Sequence, residues 1–268
     1  KPRVARKVRV CGNPIRRDFV HAVRRLAADP DGVEARARII SVIGGSQGAR
    51  ALNEAVPALL AQVGVAHSRL EVWHQSGAAM QAEVEARYRR LGIRARVLPF
   101  IDDMASLYAR SRLVVARAGA GTVAELCAVG RPSLLVPYPH AADDHQRRNA
   151  ERLAAAGAAL WAPESELSSP ALAAQLRAAL VDPAERTRMA TAARNLGAPD
   201  AAATLVDDLL AWMGGEAPSV APDGPASGTQ PPGVATLSAY LPRRRSAGGT
   251  TPMALDRRPL LSFSGALH

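Results

Sequence analysis

Apolar residues recur along residues 36–161 in short continuous runs that are separated by longer, mixed segments. The runs read ARIISVI, LEVWHQ, ARVLPF, RLVVARA and PSLLVPY. Runs of this kind are typical of strands that are buried on both faces of a parallel sheet. Helix-like segments lie between the runs and begin near Gln47, Ala78, Asp102, Thr122 and Asp143. This alternation predicts βαβ units, and hence an α/β fold with a parallel sheet in a single Rossmann-like domain over residues 36–213.

The two ends of the chain have a different character. Residues 1–35 form a basic lead-in that contains one short helical stretch. Residues 165–213 have a helical pattern, in which Ser169 is a candidate N-cap and Pro170 the first helical residue. Residues 214–268 begin with a segment rich in proline, glycine and serine and show no periodicity, which predicts a disordered tail.

The chain of 268 residues has a formal net charge of +10 and a sequence pI near 10.8. A positive balance suits an anionic partner such as a nucleotide, a phospholipid headgroup or a nucleic acid, and it is equally compatible with a generally basic proteome. Because aromatic residues make up only 4% of the chain and no nucleic-acid-binding motif is recognisable, we expect no nucleic-acid partner. The two cysteines, Cys11 and Cys127, lack metal or disulfide spacing. No apolar run approaches the roughly 20 residues of a membrane span.

The first candidate site follows the apolar run that ends at Ile43. Gly44, Gly45 and Ser46 stand there between a predicted strand and a predicted helix. Glycines allow a ligand to approach the backbone, and the unpaired N–H groups of a helix N-terminus attract phosphate. Such a turn also occurs for packing reasons alone, and this one matches neither GxGxxG nor a Walker motif. The turn is therefore either a phosphate site, to which Ser46 adds a hydrogen bond, or a packing feature.

A second turn of the same design lies in ARAGAGTVAEL, residues 116–126. Gly119 and Gly121 follow an apolar run, and a helix is predicted to begin near Thr122 with Glu125 in its first turn. The Glu125 carboxylate would either stabilise the positive end of the helix dipole or accept hydrogen bonds from a ribose. Two glycine-rich turns in one parallel sheet favour a nucleotide that lies across the carboxyl ends of the strands.

The third candidate is a polar loop between a predicted strand that ends at Pro137 and the next helix. Its polar residues are His140, Asp143, Asp144, His145 and Gln146. The spacing in HAADDH is too loose for a recognised metal site, so we expect no metal. The acidic residues are candidates for helix capping, while the Gln146 amide is able to donate and accept hydrogen bonds with sugar hydroxyls.

Several long segments, in this order, resemble the C-terminal half of the MurG family of glycosyltransferases: GNPIR, GGSQGARALNEAVP, WHQSG, FIDDMASLYARSRLVVARAGAGTVAEL and GRPSLLVPYPHAADDHQRRNA. The resemblance extends over about residues 8–213. It implies the donor-binding, Rossmann-like domain of a two-domain GT-B enzyme. It also implies transfer of GlcNAc from UDP-GlcNAc to undecaprenyl-pyrophosphoryl-MurNAc-pentapeptide, the conversion of lipid I into lipid II in peptidoglycan synthesis.

The resemblance further implies which residues bind UDP-GlcNAc. Arg16 of GNPIR would contact the nucleotide, Ser46 the diphosphate, and the backbone of Ile101 the uracil. Glu125 would accept hydrogen bonds from the ribose hydroxyls, and Gln146 would bind the GlcNAc hydroxyls. The rest of the implied site lines the diphosphate and the ribose and comprises Ala120, Gly121, Thr122, Val123 and Ala124. No cofactor or metal is implied, because helix N-termini and Arg16 would offset the charge of the leaving diphosphate.

No segment of the chain resembles the acceptor-binding N-terminal half of that family. The resemblance thus implies a fragment or one half of a split enzyme, whose lipid I acceptor and peripheral contact with the cytoplasmic face of the membrane depend on a domain outside this sequence. We find no catalytic base beyond three histidines that are candidates by residue type alone, His74, His140 and His145. Two alternatives remain, a UDP-sugar-binding module without activity of its own and another UDP-sugar transferase of the GT-B type.

Overall fold

The structure is a computed structural model, and it describes residues 10–28, 37–45 and 48–214. All strands in this part of the chain belong to one six-stranded sheet in which every pairing is parallel. The strands are β1 (Ile39–Ile43), β2 (Glu71–Gln75), β3 (Ala95–Leu98), β4 (Ser111–Ala116), β5 (Ser133–Leu135) and β6 (Ala159–Trp161). Their order across the sheet is β3-β2-β1-β4-β5-β6.

The helices that cover the sheet are α1 (Arg17–Ala28), α2 (Arg50–Val63), α3 (Gln81–Arg90), α4 (Met104–Arg110), α5 (Ala120–Val129), α6 (His145–Ala155), α7 (Pro170–Val181), α8 (Pro183–Leu196) and α9 (Ala201–Met213). The α/β fold with a parallel sheet and the helical C-terminal segment, both predicted from the sequence, are confirmed. Ser169 is the N-cap of α7 and Pro170 its first residue, as predicted.

One detail of the predicted order of elements was wrong. Strand β6 was missed, because its sequence Ala-Leu-Trp is short and follows an alanine-rich stretch. The helical segments begin within three residues of the predicted positions, and the second begins at Ala78, as predicted, with a short 3-10 turn before α3. Helix α2 begins after Gly48, whose φ of +76° is not helical, and α6 begins after Asp143 and Asp144, whose φ values are +50° and +53°.

Part of the predicted domain organisation lies outside the described residues. This applies to residues 1–9 and 29–36 of the lead-in and to residues 215–268 of the tail. The boundaries at residues 36 and 213 and the disordered tail therefore stay predictions.

The core consists of two apolar layers, one on each face of the sheet. Strand β1 shows how a fully buried strand supplies both, because Ile40 and Val42 pack in one layer and Ile39 and Ile43 in the other. Helices α2, α3 and α7 cover the first layer, and α1, α4, α5 and α6 cover the second, while α8 contributes Met189 to the first layer and Ala193 to the second. Alternate side chains of a strand point to opposite faces, so this arrangement requires the continuous apolar runs of the sequence.

The sheet has a topological switch point between β1 and β4. The chain moves outward from β1 to β3, returns to the centre at β4, and then moves outward in the other direction to β6. At such a point the two connections that leave neighbouring strands diverge to opposite faces, which opens a crevice at the carboxyl ends of the strands. None of the helices that the structure describes has the length and apolar character needed to span a membrane.

Candidate functional site

The two glycine-rich turns lie on either side of the switch-point crevice. One connects β1 to α2, the other connects β4 to α5, and β1 and β4 are hydrogen-bonded neighbours. Both helices therefore begin at the carboxyl edge of the sheet. The first residues of each helix present backbone N–H groups there, and no acidic residue occurs in the first turn of either helix.

The backbone of the first turn requires its glycines. A Cβ on Gly44 would lie 2.4 Å from the backbone N of Ala49. A Cβ on Gly48 would lie 2.1 Å from the carbonyl oxygen of Ser76, and Gly48 also has a positive φ. The Gly48 N–H donates to the Gly45 carbonyl at 3.0 Å, which closes the turn. Ser46 lies outside the described residues, so its contact with a diphosphate stays a prediction.

The end of β2 holds this turn in place, a feature that the sequence reasoning missed. The Gln75 side-chain amide donates to the carbonyl of Gly45 at 2.7 Å. The Asn53 amide, from α2, donates to the carbonyl of Ser76 at 2.9 Å. The only sequence signal was the polar pair His74-Gln75 at the end of a predicted strand, and both of these side chains are buried.

His74 belongs to this support and is not a base. It is fully buried, and its ring nitrogens hydrogen-bond to the Tyr88 hydroxyl at 2.9 Å and to the Asn53 side-chain oxygen at 3.0 Å. Burial lowers the pKa of His74 from 6.5 to about 3, so the imidazole is neutral at physiological pH. His74 therefore has a structural role in orienting Asn53, and we exclude it as a catalytic base.

In the second turn the structure corrects the position of Glu125. Helix α5 begins at Ala120, two residues before the predicted start, because Gly119 adopts the extended conformation of an N-cap. Glu125 is consequently the sixth residue of the helix and does not lie in its first turn. Interaction with the helix dipole falls off within the first turn, so the dipole explanation for this carboxylate loses its basis.

Arg16 and Glu125, which are far apart in the sequence, lie side by side. The Arg16 Nε is 3.6 Å from Glu125 Oε1, while the same nitrogen is 3.9 Å from the carboxylate of Asp18. The Arg16 guanidinium also stacks over Phe19, 5.1 Å from the ring centroid, and Phe19 is fully buried against α4 and α5. Arg16 directly precedes α1, and the packing of α1 places it beside α5, although it stands more than 100 residues earlier in the chain.

The Glu125 carboxyl is partly withdrawn from water, with 18% of its side chain exposed. Burial raises its pKa above the ordinary value of 4.5, the Arg16 guanidinium opposes that rise, and the Asp18 carboxylate adds to it. A half-buried carboxylate with one cationic neighbour is suited to accepting hydrogen bonds from paired hydroxyls.

The first half of α5 is open, while its second half is buried. Ala120 and Gly121 are exposed, Thr122, Val123, Ala124 and Glu125 are half-buried, and the core begins at Leu126. Ile101 lies in the connection from β3 to α4, and its side chain is buried in the same core layer as Leu126. A buried side chain fixes the backbone of this connection, which is compatible with the backbone contact predicted for Ile101.

The third candidate is the loop before α6. Two amide side chains of α6 attach that helix to the loop and to the second glycine turn. The backbone N–H of Tyr138 donates to the side-chain oxygen of Gln146 at 3.0 Å, which leaves the NH₂ end of the amide directed away from that bond. The Asn149 amide donates to the carbonyl of Ala118, in the second turn, at 2.9 Å. Asp144 occupies the N-cap position of α6, but no side-chain capping bond forms, so the capping interpretation is wrong for this residue.

Arg117, at the end of β4, is a further residue that the sequence reasoning missed. Its guanidinium donates to the carbonyls of Val136 and Pro137 at 3.2 and 3.1 Å, pairs with the Glu164 carboxylate, and lies over the Tyr138 ring. It thereby fixes the ends of β4 and β5 relative to each other. Because its partners come from two other segments, residues 136–138 and Glu164, no local pattern in the sequence indicated it.

A cleft of about 520 Å³, the carboxyl-edge cleft, joins the first turn to this loop. Residues of both candidates and their supports line it, among them Gly44, Gly48, Arg117, Tyr138, His140 and Gln146. Arg16 and Glu125 form a second group, at the side of α5.

The two candidate histidines of the loop before α6 make different contacts. His140 is exposed, and its ring contacts Tyr138 edge-on. His145 is bonded through Nδ1 to the carbonyl of Ala142. Within the described ranges no group of three or more metal-ligating side chains occurs.

A doubly wound parallel sheet with two glycine turns at its switch point defines the class of nucleotide-binding domains that GT-B glycosyltransferases contain. Residues 39–205 match the model of the glycosyltransferase family 28 C-terminal domain. The chain therefore belongs to that family.

The curated relatives include two transferases named UDP-N-acetylglucosamine--N-acetylmuramyl-(pentapeptide) pyrophosphoryl-undecaprenol N-acetylglucosamine transferase. The protein from Xanthomonas axonopodis pv. citri is 47% identical over 205 residues, which are 76% of this chain and 47% of the relative. The protein from Stutzerimonas stutzeri is 47% identical over 204 residues, 76% of this chain and 56% of the relative. The chain thus spans about half the length of these relatives.

The crystal structure of Acinetobacter baumannii MurG has the same fold over the shared part. The two chains superpose with a TM-score of 0.59 and 37% sequence identity, over 66% of this chain and 51% of that one. The resemblance to the C-terminal half of the MurG family is therefore confirmed.

Proposed function

We propose that the chain is the donor-binding half of a UDP-GlcNAc-dependent transferase that converts lipid I into lipid II. The observation that carries the proposal is the convergence of Arg16 on Glu125 at 3.6 Å, beside the open start of α5. Two residues that the family resemblance assigned to one nucleotide lie in contact, although no local pattern places them together. The names of the relatives that are 47% identical support the choice of UDP-GlcNAc as donor.

The donor would lie across the switch point. The N–H groups at the starts of α2 and α5 would bind the diphosphate, and Ser46 would add a hydroxyl donor. Glu125 would accept hydrogen bonds from the two ribose hydroxyls, and the backbone of the Ile101 segment would contact the uracil. Arg16, already next to Glu125, would contact the nucleotide.

Gln146 would bind the GlcNAc hydroxyls with its NH₂ group, because its oxygen accepts from the Tyr138 N–H. In the transfer step the bond between the anomeric carbon and the diphosphate breaks as the C4 hydroxyl of the muramyl sugar attacks. Charge that develops on the leaving diphosphate would be stabilised by the two helix N-termini and Arg16, without a metal.

The acceptor half of the reaction is assigned to a domain outside this sequence. We infer that the lipid I site, the catalytic base and the peripheral contact with the cytoplasmic face of the membrane belong to that domain. The chain spans about half of its relatives, which supports this division.

The test is calorimetric titration of the purified chain with UDP-GlcNAc, with UDP-GalNAc in parallel. We expect UDP-GlcNAc to bind more tightly, and we expect Glu125→Gln to weaken binding by at least about tenfold, as loss of a charged hydrogen-bond acceptor does. Glu83→Gln, an exposed glutamate paired with Arg87, is the matched control and should leave the affinity unchanged. A folded chain that fails to bind the donor, or a Glu125→Gln variant that binds normally, would contradict the proposal.

The second candidate is a UDP-sugar-binding module without transfer activity of its own. The observation that favours it is the same half-length match. A transfer assay with lipid I separates the two: GlcNAc transfer by the chain together with the acceptor-binding half of a relative supports the first, and donor binding without transfer in that mixture supports the second.

A further inference from the structure

The opposite edge of the sheet, where the strands begin, carries a second cavity. This amino-edge pocket has a volume of about 320 Å³, and its lining includes Arg38, Arg69, Arg112 and Arg177 together with Gly64 and Val181. Among the described residues that line this pocket, none is acidic, and none also lines the carboxyl-edge cleft.

The fold gathers the four arginines from four separate segments. Arg38 directly precedes β1, Arg112 is the second residue of β4, and these two strands are neighbours. Arg69 lies in the connection from α2 to β2, and Arg177 lies near the end of α7. In a parallel α/β sheet the helices run against the strands, so helix ends and strand starts meet at this edge.

Two of these guanidinium groups have defined positions. Arg112 Nε donates to the carbonyl of Ala37 at 2.9 Å, which attaches it to the residue before Arg38. A terminal nitrogen of Arg177 lies 3.7 Å from the point that a Cβ on Gly64 would occupy, so this side chain extends over the end of α2.

Within the part of the chain that the structure describes, Arg38, Arg69 and Arg177 lack the carboxylate partners that other surface arginines have. Arg50, Arg87, Arg147 and Arg188 each pair with a glutamate three or four residues away. Among the described residues, in contrast, no carboxylate lies within 4.0 Å of Arg38, Arg69 or Arg177.

Two acidic residues that are close to the pocket in the sequence are engaged elsewhere. Glu71 pairs with Arg96 at 3.1 Å, and the Asp182 carboxylate accepts from the Ala184 N–H at 2.9 Å. Asp29, Asp31 and Glu34, which precede Arg38, lie outside the described residues. The ends of α2 and α7 add about half a negative charge each at most. Counted over the described residues, the positive charge of the pocket's arginines therefore exceeds the negative charge of the helix ends.

We propose that the amino-edge pocket binds a phosphate group, as a phosphate monoester or a diphosphate. Guanidinium groups bind phosphate oxygens through paired N–H donors, and arginines from several segments form a concave, cationic surface that fits this shape. The volume admits a diphosphate or the headgroup of an anionic lipid. This site is separate from the proposed donor site and does not depend on it.

The experiment measures binding of inorganic pyrophosphate by calorimetry, on the intact chain and on two charge-matched double variants. Arg69→Gln with Arg177→Gln removes two pocket charges, while Arg24→Gln with Arg188→Gln removes two exposed charges elsewhere. We expect the pocket variant to lose affinity at least about tenfold and the control less than about twofold, since specific arginine contacts are worth more than net charge. All four arginines are exposed, and thermal unfolding verifies that both variants fold.

Vesicle flotation identifies the source of the phosphate. If it is a lipid headgroup, phosphatidylglycerol vesicles bind the chain, phosphatidylcholine vesicles do not, and the pocket variant loses the binding. If it is a soluble compound, pyrophosphate binds and neither type of vesicle does.

Two results overturn the proposal. One is an equal loss of binding in the two double variants, which would show a general charge effect. The other is absence of binding to both pyrophosphate and phosphatidylglycerol. The intact chain is required because residues 29–36, next to Arg38, include Asp29, Asp31 and Glu34, and neutralisation of the pocket by these carboxylates would produce that second result.

Discussion

At the scale of single residues, the pairing of Arg16 with Glu125 links the sequence to the proposed chemistry. The pair is separated by 3.6 Å, so in the free protein each group already faces a partner of opposite charge. A nucleotide that hydrogen-bonds to Glu125 must displace that guanidinium or contact both groups at once. In the proposed donor site, the ion pair would hold the carboxylate in position before the donor binds, which would lower the entropic cost of binding.

If Glu125 binds the donor as proposed, its raised pKa makes that binding sensitive to acid. A protonated carboxyl loses acceptor capacity, so we expect the affinity for UDP-GlcNAc to fall as the pH decreases through the raised pKa, beginning above the ordinary value of 4.5. Calorimetry across an acidic pH series measures this. Glu125→Gln should bind weakly at every pH without that decrease, and a parallel pH dependence in the variant would assign the effect to another group.

His74 gives a second pH dependence, in stability. Its pKa is lowered to about 3 in the folded protein, against the ordinary value of 6.5, so between these values only the unfolded chain takes up the proton. Stability should therefore decrease as the pH falls from 6.5 to about 3, with a slope of up to about 1.4 kcal/mol per pH unit from this group. Urea unfolding at a series of pH values checks it.

The variant His74→Gln keeps a polar, hydrogen-bonding side chain at that position and removes the titration. It should be less stable than the parent at neutral pH and should lose stability less steeply in acid. An unchanged slope would mean that carboxylates dominate the acid response of the domain.

Motifs in the sequence indicated Glu125, Arg16 and Gln146 as candidates, and the roles of these residues stay predictions. No motif indicated Gln75, Asn53 or Arg117, because their partners are set by the folded sheet. Gln75 reaches Gly45 only because β2 pairs with β1 so that Gln75 is opposite Ile43. That register is a property of the folded sheet and leaves no mark in the local sequence.

At the scale of elements, the first glycine turn distinguishes two ways in which an added methyl group destabilises the fold. One is the unfavourable backbone conformation, and the other is a steric clash. Gly45 and Gly48 have similar φ values, +83° and +76°, but a Cβ on Gly45 meets nothing within 4 Å whereas one on Gly48 meets the Ser76 carbonyl. We expect Gly45→Ala to cost about 1–2 kcal/mol for the left-handed conformation alone. Gly48→Ala should cost clearly more, because the backbone of β2 or of the turn must move.

Denaturant unfolding of the two variants measures the difference in their free energies of unfolding. Donor titration shows whether the substitutions also weaken donor binding. We expect Gly48→Ala to weaken UDP-GlcNAc binding more than Gly45→Ala. Equal losses of stability would mean that the contact with Ser76 relaxes at little cost.

The existence and type of the elements were easier to predict than their ends. Continuous apolar runs identified the first five strands because burial on both faces demands them. The starts of α2, α5 and α6 depended instead on the φ and ψ of Gly48, Gly119 and Asp144, which the sequence only suggests. Strand β6 is short enough that its pairing with β5, and not its own composition, defines it.

At the scale of the whole molecule, α9 presents an apolar surface to solvent. Leu209, Leu210, Trp212 and Met213 are 49%, 61%, 74% and 81% exposed. Exposed apolar area of this kind promotes association. We expect the purified chain to self-associate as its concentration rises, and Leu210→Gln with Trp212→Gln to reduce this without lowering the melting temperature.

Light scattering over a concentration series measures this association. Val181→Gln, which replaces another exposed apolar side chain outside α9, is the control. If the control reduces association as much as the α9 variant does, general surface hydrophobicity is responsible.

The strand order has a mechanical consequence. Strands β1, β2 and β3 form one half of the sheet, β4, β5 and β6 the other, and the switch point is the seam between them. Each half contributes one glycine turn to the same crevice, so a diphosphate held by both turns would tie the halves together across that seam. Its binding energy would then oppose any force that pulls the halves apart. The ligand-bound domain would therefore unfold at a higher applied force than the empty one.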